Sequence, residues 1–190
     1  GNPEYKNIGV NYDNNFLKKR LNLNSSYNFN NNSNSNERQS YNKQILPEDK
    51  NRPNIKSQET KNNSTSESES KNHSFRSQVK FRIDSTQNLD VQLNAGKSNG
   101  RNANTSERYT TNNDTIKTND FKEKNSSTSN GDNADFRLNY RKRLNRDGRS
   151  FNIQVNGDIS QSTSNTLVNS TTNYYKNNKD SVVHITQDRT

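Results

Sequence analysis

The sequence predicts an all-β chain: an antiparallel up-and-down segment of a transmembrane β-barrel, about six strands with short turns and long polar loops. Three observations predict it. Apolar and polar residues alternate strictly in several runs, the period that puts successive side chains on opposite faces of a strand. Short turn sequences join these runs in pairs, and long polar stretches separate the pairs. Only 22% of the residues are hydrophobic, too few for an oily core but enough for a wall that is apolar on one face only.

The clearest pair lies at 135–160. Phe136, Leu138 and Tyr140 alternate with Arg137, Asn139 and Arg141, and Phe151, Ile153, Val155 and Ile159 alternate with Asn152, Gln154, Asn156 and Asp158. Between them Asn145-Arg146-Asp147-Gly148 is a turn sequence whose glycine supplies a positive φ. A second pair lies at 8–29, with Ile8, Val10 and Tyr12 before Lys18-Lys19, then Leu21, Leu23, Tyr27 and Phe29 on one parity. The third, at 73–95, sets Phe75, Val79, Phe81 and Ile83 against Arg76, Gln78, Lys80 and Arg82. It turns at Asp84–Asn88 and returns through Leu89, Val91, Leu93 and Ala95.

Residues 30–72 and 96–134 are expected to be long polar loops, and 161–190 a C-terminal loop, because Asn, Ser, Thr and Lys fill them without alternation. The strands are then about ten residues each. One parity meets lipid: Leu21, Leu23, Val79, Phe81, Val91, Leu93, Phe136, Leu138, Ile153 and Val155. The other faces a lumen: Arg76, Lys80, Arg82, Asp90, Arg137, Arg141 and Asp158, with the bases either paired to Asp90, Asp158 and other acids or contacting a plug or an anionic solute in the lumen. Tyr12, Tyr27, Phe29 and Tyr140 suit an aromatic girdle at the membrane interface.

Charge and composition narrow the function. The net charge of +9 comes from 29 Lys and Arg against 20 Asp and Glu, but the longest basic runs are Lys18-Lys19-Arg20 and Arg141-Lys142-Arg143, so no nucleic-acid partner is expected. No cysteine is present for disulfides or thiolate metal sites. Gly96-Lys97-Ser98 lacks the earlier glycine of a phosphate-binding loop, since Val91 stands there. His73 and His184 lie far apart without carboxylates at ligand spacing. Asp132, Asn133 and Asp135 around Gly131 miss the spacing of a twelve-residue calcium loop, leaving only a site at a barrel rim to consider. The Asn-x-Ser/Thr triplets at 62–64 and 104–106 follow from an Asn- and Ser-rich composition. No catalytic set, cofactor fingerprint or metal site stands out, and the chain is expected not to be an enzyme.

The segments KNIGVNYDNNFLKKRLNLNSSYNFN, QILPEDK, NHSFRSQVKFRIDSTQNLDVQLN and NYRKRLNRDGRSFNIQVNGDIS resemble, in this order, the β-barrel region of TonB-dependent-receptor-like outer-membrane proteins of Bacteroidetes-type bacteria. The resemblance runs from about Lys6 to Thr190. It implies a place in the bacterial outer membrane, lipid as a partner, and a plug domain and the TonB system acting through the full-length protein. It also implies uptake of a bulky solute across that membrane. The family's plug, TonB-contacting box, signal peptide and terminal aromatic strand are not seen, so the chain is expected to be an internal barrel fragment. Two other readings stay open from the residues themselves: a disordered Asn/Ser-rich interaction region, and a soluble β-rich adhesin or binding module whose apolar faces pack on each other.

Overall fold

A computed structural model describes residues 3–47, 54–113, 115–144, 148–176 and 179–189. The chain is an all-β meander: β1 (Glu4–Phe16), β2 (Leu21–Ile45), β3 (Ser57–Arg82), β4 (Gln87–Asn112), β5 (Ile116–Arg143), β6 (Ser150–Lys176) and β7 (Lys179–Arg189). They form one antiparallel sheet in the order β1-β2-β3-β4-β5-β6-β7, and the sheet is not closed.

The three expected hairpins are present, but the loops are not. Residues 30–45 and 57–72 continue β2 and β3 in unbroken register, from Asn30↔Asn72 to Ile45↔Ser57. Residues 96–112 and 116–134 continue β4 and β5, and most of 161–190 belongs to β6 and β7. Seven strands thus replace the expected six or so, and β2 to β6 run 25 to 28 residues rather than about ten. The physical reason is that a ladder of backbone hydrogen bonds, once nucleated by a hairpin, propagates without any apolar face to guide it. Opposed side chains hold it in step: Lys43 opposes Glu59, Glu107 opposes Lys122 and Lys97 opposes Asp132, each as an ion pair. Ser106 donates to Asn62 at 3.2 Å and Thr166 to Ser127 at 3.2 Å.

Each connection at the hairpin end has its own chemistry. Leu17, Lys18 and Lys19 all take positive φ (50°, 54° and 67°) and Arg20 N–H closes on the Leu17 carbonyl at 3.1 Å. Three consecutive non-glycine residues in that region cost about 1–2 kcal/mol each. In the β3–β4 turn the Asp84 carboxylate accepts from Thr86 N–H (2.6 Å), Thr86 Oγ1 (2.7 Å), Gln87 N–H (2.9 Å) and Gln87 Nε2 (2.6 Å). These bonds, the Thr86 hydroxyl first, hold Asp84 below the usual carboxylate range. In the β5–β6 turn Gly148 has φ +84°, while Asn145, Arg146 and Asp147 lie outside the described residues.

At the opposite end Asn113 (φ 47°) fastens the β2–β3 connection to the β4–β5 turn. Its Oδ1 accepts from Lys56 N–H at 2.8 Å and Ser57 N–H at 3.2 Å, and its Nδ2 donates to the Asn54 carbonyl. From the segment QILPEDK, Leu46 N–H bonds the Lys56 carbonyl at 2.9 Å; Glu48, Asp49 and Lys50 lie outside the described residues.

No hydrophobic side chain is buried among the described residues. The molecule is a single layer, and in the half nearer the hairpin turns the apolar side chains of β2 to β6 sit on one surface of it.

Candidate functional site

Register decides which side chains share a face, since directly opposed residues point the same way. Reading across β2 to β6, one row is Leu21, Phe81, Leu89, Tyr140 and Ile153, and the next is Leu23, Val79, Val91, Leu138 and Val155. Leu93 opposes Phe136, which opposes Gly157, two residues further on. All ten residues predicted for the lipid side therefore lie on one face, called here the banded face. Tyr12, Tyr27, Phe29 and Tyr140 lie on it too, with Ile8 opposed to Phe29 and Val10 to Tyr27. The band runs from Leu21 to Phe29 along β2, about 27 Å of strand, or roughly 20 Å of height at the tilt usual in barrels. Across six strands it covers about 800 Å², beyond the largest apolar patch of an ordinary soluble monomer.

Within the band, the Phe136 ring covers Gly157: a Cβ there would collide with the ring carbons. The glycine provides the space the aromatic occupies. Beyond the upper edge the same face turns polar. His73 marks the change, its Nδ1 2.8 Å from the Tyr27 hydroxyl and its ring 4.8 Å from Phe29. Further out lies an ordered polar group. Asp120 accepts from Lys117 Nζ (2.7 Å), Tyr175 hydroxyl (2.9 Å) and Asn173 Nδ2 (2.7 Å), and the Lys117 ammonium also sits 4.6 Å over the Tyr175 ring. The Lys117 bond holds the Asp120 carboxyl below its ordinary range, and Asp120, then Tyr175, raise Lys117.

All seven residues predicted for the lumen lie on the opposite face, called here the polar face: Arg76, Lys80, Arg82, Asp90, Arg137, Arg141 and Asp158. The expected pairing of these bases with Asp90 and Asp158 is corrected. Arg76 Nε donates to Asn94 Oδ1 at 3.0 Å, and Asn94 in turn to Asp135 at 2.7 Å. Asp90 accepts from Gln78 Nε2 at 3.1 and 3.2 Å, although Lys80 stands directly opposite. Among the described residues the ion pairs Lys6–Glu4, Lys43–Glu59, Lys71–Glu69, Lys97–Asp132, Lys117–Asp120 and Lys122–Glu107 all lie on the banded face, outside the band itself.

The weaker motifs do not assemble. Gly96-Lys97-Ser98 lies inside β4 as extended strand. Asp132 is on the banded face and Asp135 on the polar face, because an odd spacing along a strand sends side chains apart, so the rim calcium site does not form there. His73 and His184 sit on β3 and β7, and His184 Nδ1 is 3.0 Å from Thr171 Oγ1. No group of three or more His, Cys, Asp or Glu side chains is placed to hold a metal among the described residues.

No family model and no curated protein matches this chain. The site therefore rests on its own geometry: a banded face, a polar face, and a hollow on the latter near the hairpin turns. That hollow, about 390 Å³, is lined by Lys19, Arg20, Lys80, Arg82 and Arg141 with Asn22, Asn88, Asp90 and Asn139. Lys19 and Arg20 were absent from the sequence-predicted face residues. The signal was the basic triplets flanking two turns, Lys18-Lys19-Arg20 and Arg141-Lys142-Arg143, which only the register brings to one end of the sheet.

Proposed function

We propose that the chain is a wall segment of an outer-membrane β-barrel, resembling that of TonB-dependent receptors and serving uptake of a bulky solute. The observation that carries this reading is the band: apolar rows about 20 Å high on one face of a single-layer meander whose other face is polar over the same height. Lipid supplies the apolar contact that the chain does not supply to itself. The plug and the TonB system are partners of the full-length protein, and the polar halves of β2 to β6 stand outside the bilayer, where a barrel captures its solute. The pairing of all seven strands into one sheet speaks against the disordered-tether reading.

The absence of cysteine makes the test simple. Single cysteines at Val155, Asn156 and Leu167 are labelled with an environment-sensitive fluorophore and the chain is added to phospholipid vesicles containing brominated lipid. The expected result is quenching at position 155 alone. A β-type circular dichroism signal in plain buffer, with all three positions equally wet in the presence of vesicles, overturns the membrane reading in favour of a soluble binding module.

A further inference from the structure

The hairpin end of the polar face carries a charge arrangement that the barrel-wall reading does not explain. Arg20 and Arg82 are directly opposed, joined by the Arg82 N–H to Arg20 carbonyl bond at 2.8 Å. Asn88 is opposite Arg82, and Arg141 opposite Asn88, so one row from the β1–β2 turn across β3, β4 and β5 reads Arg-Arg-Asn-Arg. Lys80 lies in the next row and Lys19 in the adjacent turn, around the same hollow. Like charges placed directly opposite each other on a sheet are destabilising. Here one carboxylate, Asp90, opposes Lys80 and accepts from Gln78, so five bases around the hollow face a single acid, and the ion pairs among the described residues lie on the other face. Three guanidinium groups spaced over about 14 Å, with amide donors between them, match an anion carrying more than one phosphate, because guanidinium forks bind phosphate oxygens in pairs and stay charged.

We propose that this hollow is an oxyanion site that binds phosphate-bearing ligands, with Arg20, Arg82 and Arg141 as the binding groups, Asn88 as a neutral donor between them and Lys80 as added positive field. The site does not rest on which face of the sheet meets lipid, so its failure would leave the barrel reading untouched. The shared chemistry, clustered phosphate, has two sources: a free diphosphate solute and the headgroups of anionic lipid at the membrane rim.

Inorganic pyrophosphate is titrated calorimetrically into the full chain reconstituted in zwitterionic phosphatidylcholine vesicles. The parent, the double variant Arg82→Gln/Arg141→Gln and a control, Arg101→Gln on the banded face, are compared at two salt concentrations, after circular dichroism has verified equal β content. We expect one site in the parent, at least tenfold weaker binding in the double variant, an unchanged control, and weakening with salt. In a second arm, binding of the same chains to phosphatidylglycerol-containing vesicles is measured. A preference for these vesicles that the double variant loses, and that pyrophosphate suppresses, assigns the headgroup as the source; pyrophosphate binding without that preference assigns the free anion. Should the double variant lose β content, Lys80→Gln serves instead, with a two- to fivefold weakening expected. Equal affinity of the parent, the arginine or lysine variants and the control in both arms overturns the proposal.

Discussion

The two halves of each long strand use the same backbone ladder and opposite side-chain rules. From the hairpin turns to about Phe29, Phe75, Ala95, Ala134 and Ile159, apolar and polar residues alternate and register is fixed by the face they share. From there outward Asn, Ser, Thr and charged residues occupy both faces, and register is inherited from the first half and pinned by opposed ion pairs and the Asn113 latch. A strand thus needs a hydrophobic code to begin in the right register but not to continue in it. The banded half should be sensitive to what is substituted on its apolar face, and the polar half mainly to loss of its latch.

The largest effect should separate the halves on one face. Val155→Arg, inside the band, is expected to cost about 2–4 kcal/mol in a lipid bilayer, while Leu167→Arg, on the same face and strand but beyond the band, costs about 0–1. Denaturant titration of both variants in vesicles measures the difference, and equal costs would break the comparison. Asn113→Ala comes next: three hydrogen bonds and a residue tolerant of positive φ are lost, about 1–3 kcal/mol. Hydrogen exchange should show the amides of Lys56 and Ser57 opening while those of β3 and β4 near Val79 and Val91 stay protected.

Gly157→Ala should then cost about 1–2 kcal/mol, because the Phe136 ring must leave its place. Phe136→Ala in the same chain should remove most of that penalty in a double-mutant cycle. A pH effect at the β3–β4 turn follows from Asp84. Its folded pKa is depressed, so the turn's stabilisation is complete above the unfolded carboxylate value and is lost as pH falls through the lower, folded one. Amide exchange at Thr86 and Gln87 should quicken on acidification below about pH 4, and Asp84→Ala should abolish that dependence. The smallest effect is Lys97→Ala, which removes one exposed pair with Asp132 and should change stability by under about 1 kcal/mol, less in high salt.

What could be read from the sequence follows the same division. Alternation separated the apolar residues from Leu21 to Val155 and the charged ones from Arg76 to Asp158 onto two opposite faces, because a period of two survives any uncertainty about strand ends. It stopped at the upper edge of the band. Runs such as Asn30–Ser35 or Ser126–Asn130 carry no difference between faces, so nothing in them distinguishes a strand from a solvated loop. Only the partner across the ladder does. The arginine row at the turns was hidden for a related reason: Arg20, Arg82 and Arg141 are distant in sequence and come into one row only through the β2–β3, β3–β4 and β4–β5 pairings.

The single-layer build also sets how this protein should respond to heat. Unfolding a globular domain raises the heat capacity because it wets a dry apolar interior, whereas newly exposed polar surface lowers it. With no buried hydrophobic residue among those described, unfolding exposes chiefly peptide groups and Asn, Ser and Thr side chains. The increment per residue should therefore fall well below the usual 12–15 cal/mol/K or so. The stability curve against temperature flattens, cold weakens the sheet little, and melting comes as a broad enthalpic loss of hydrogen bonds.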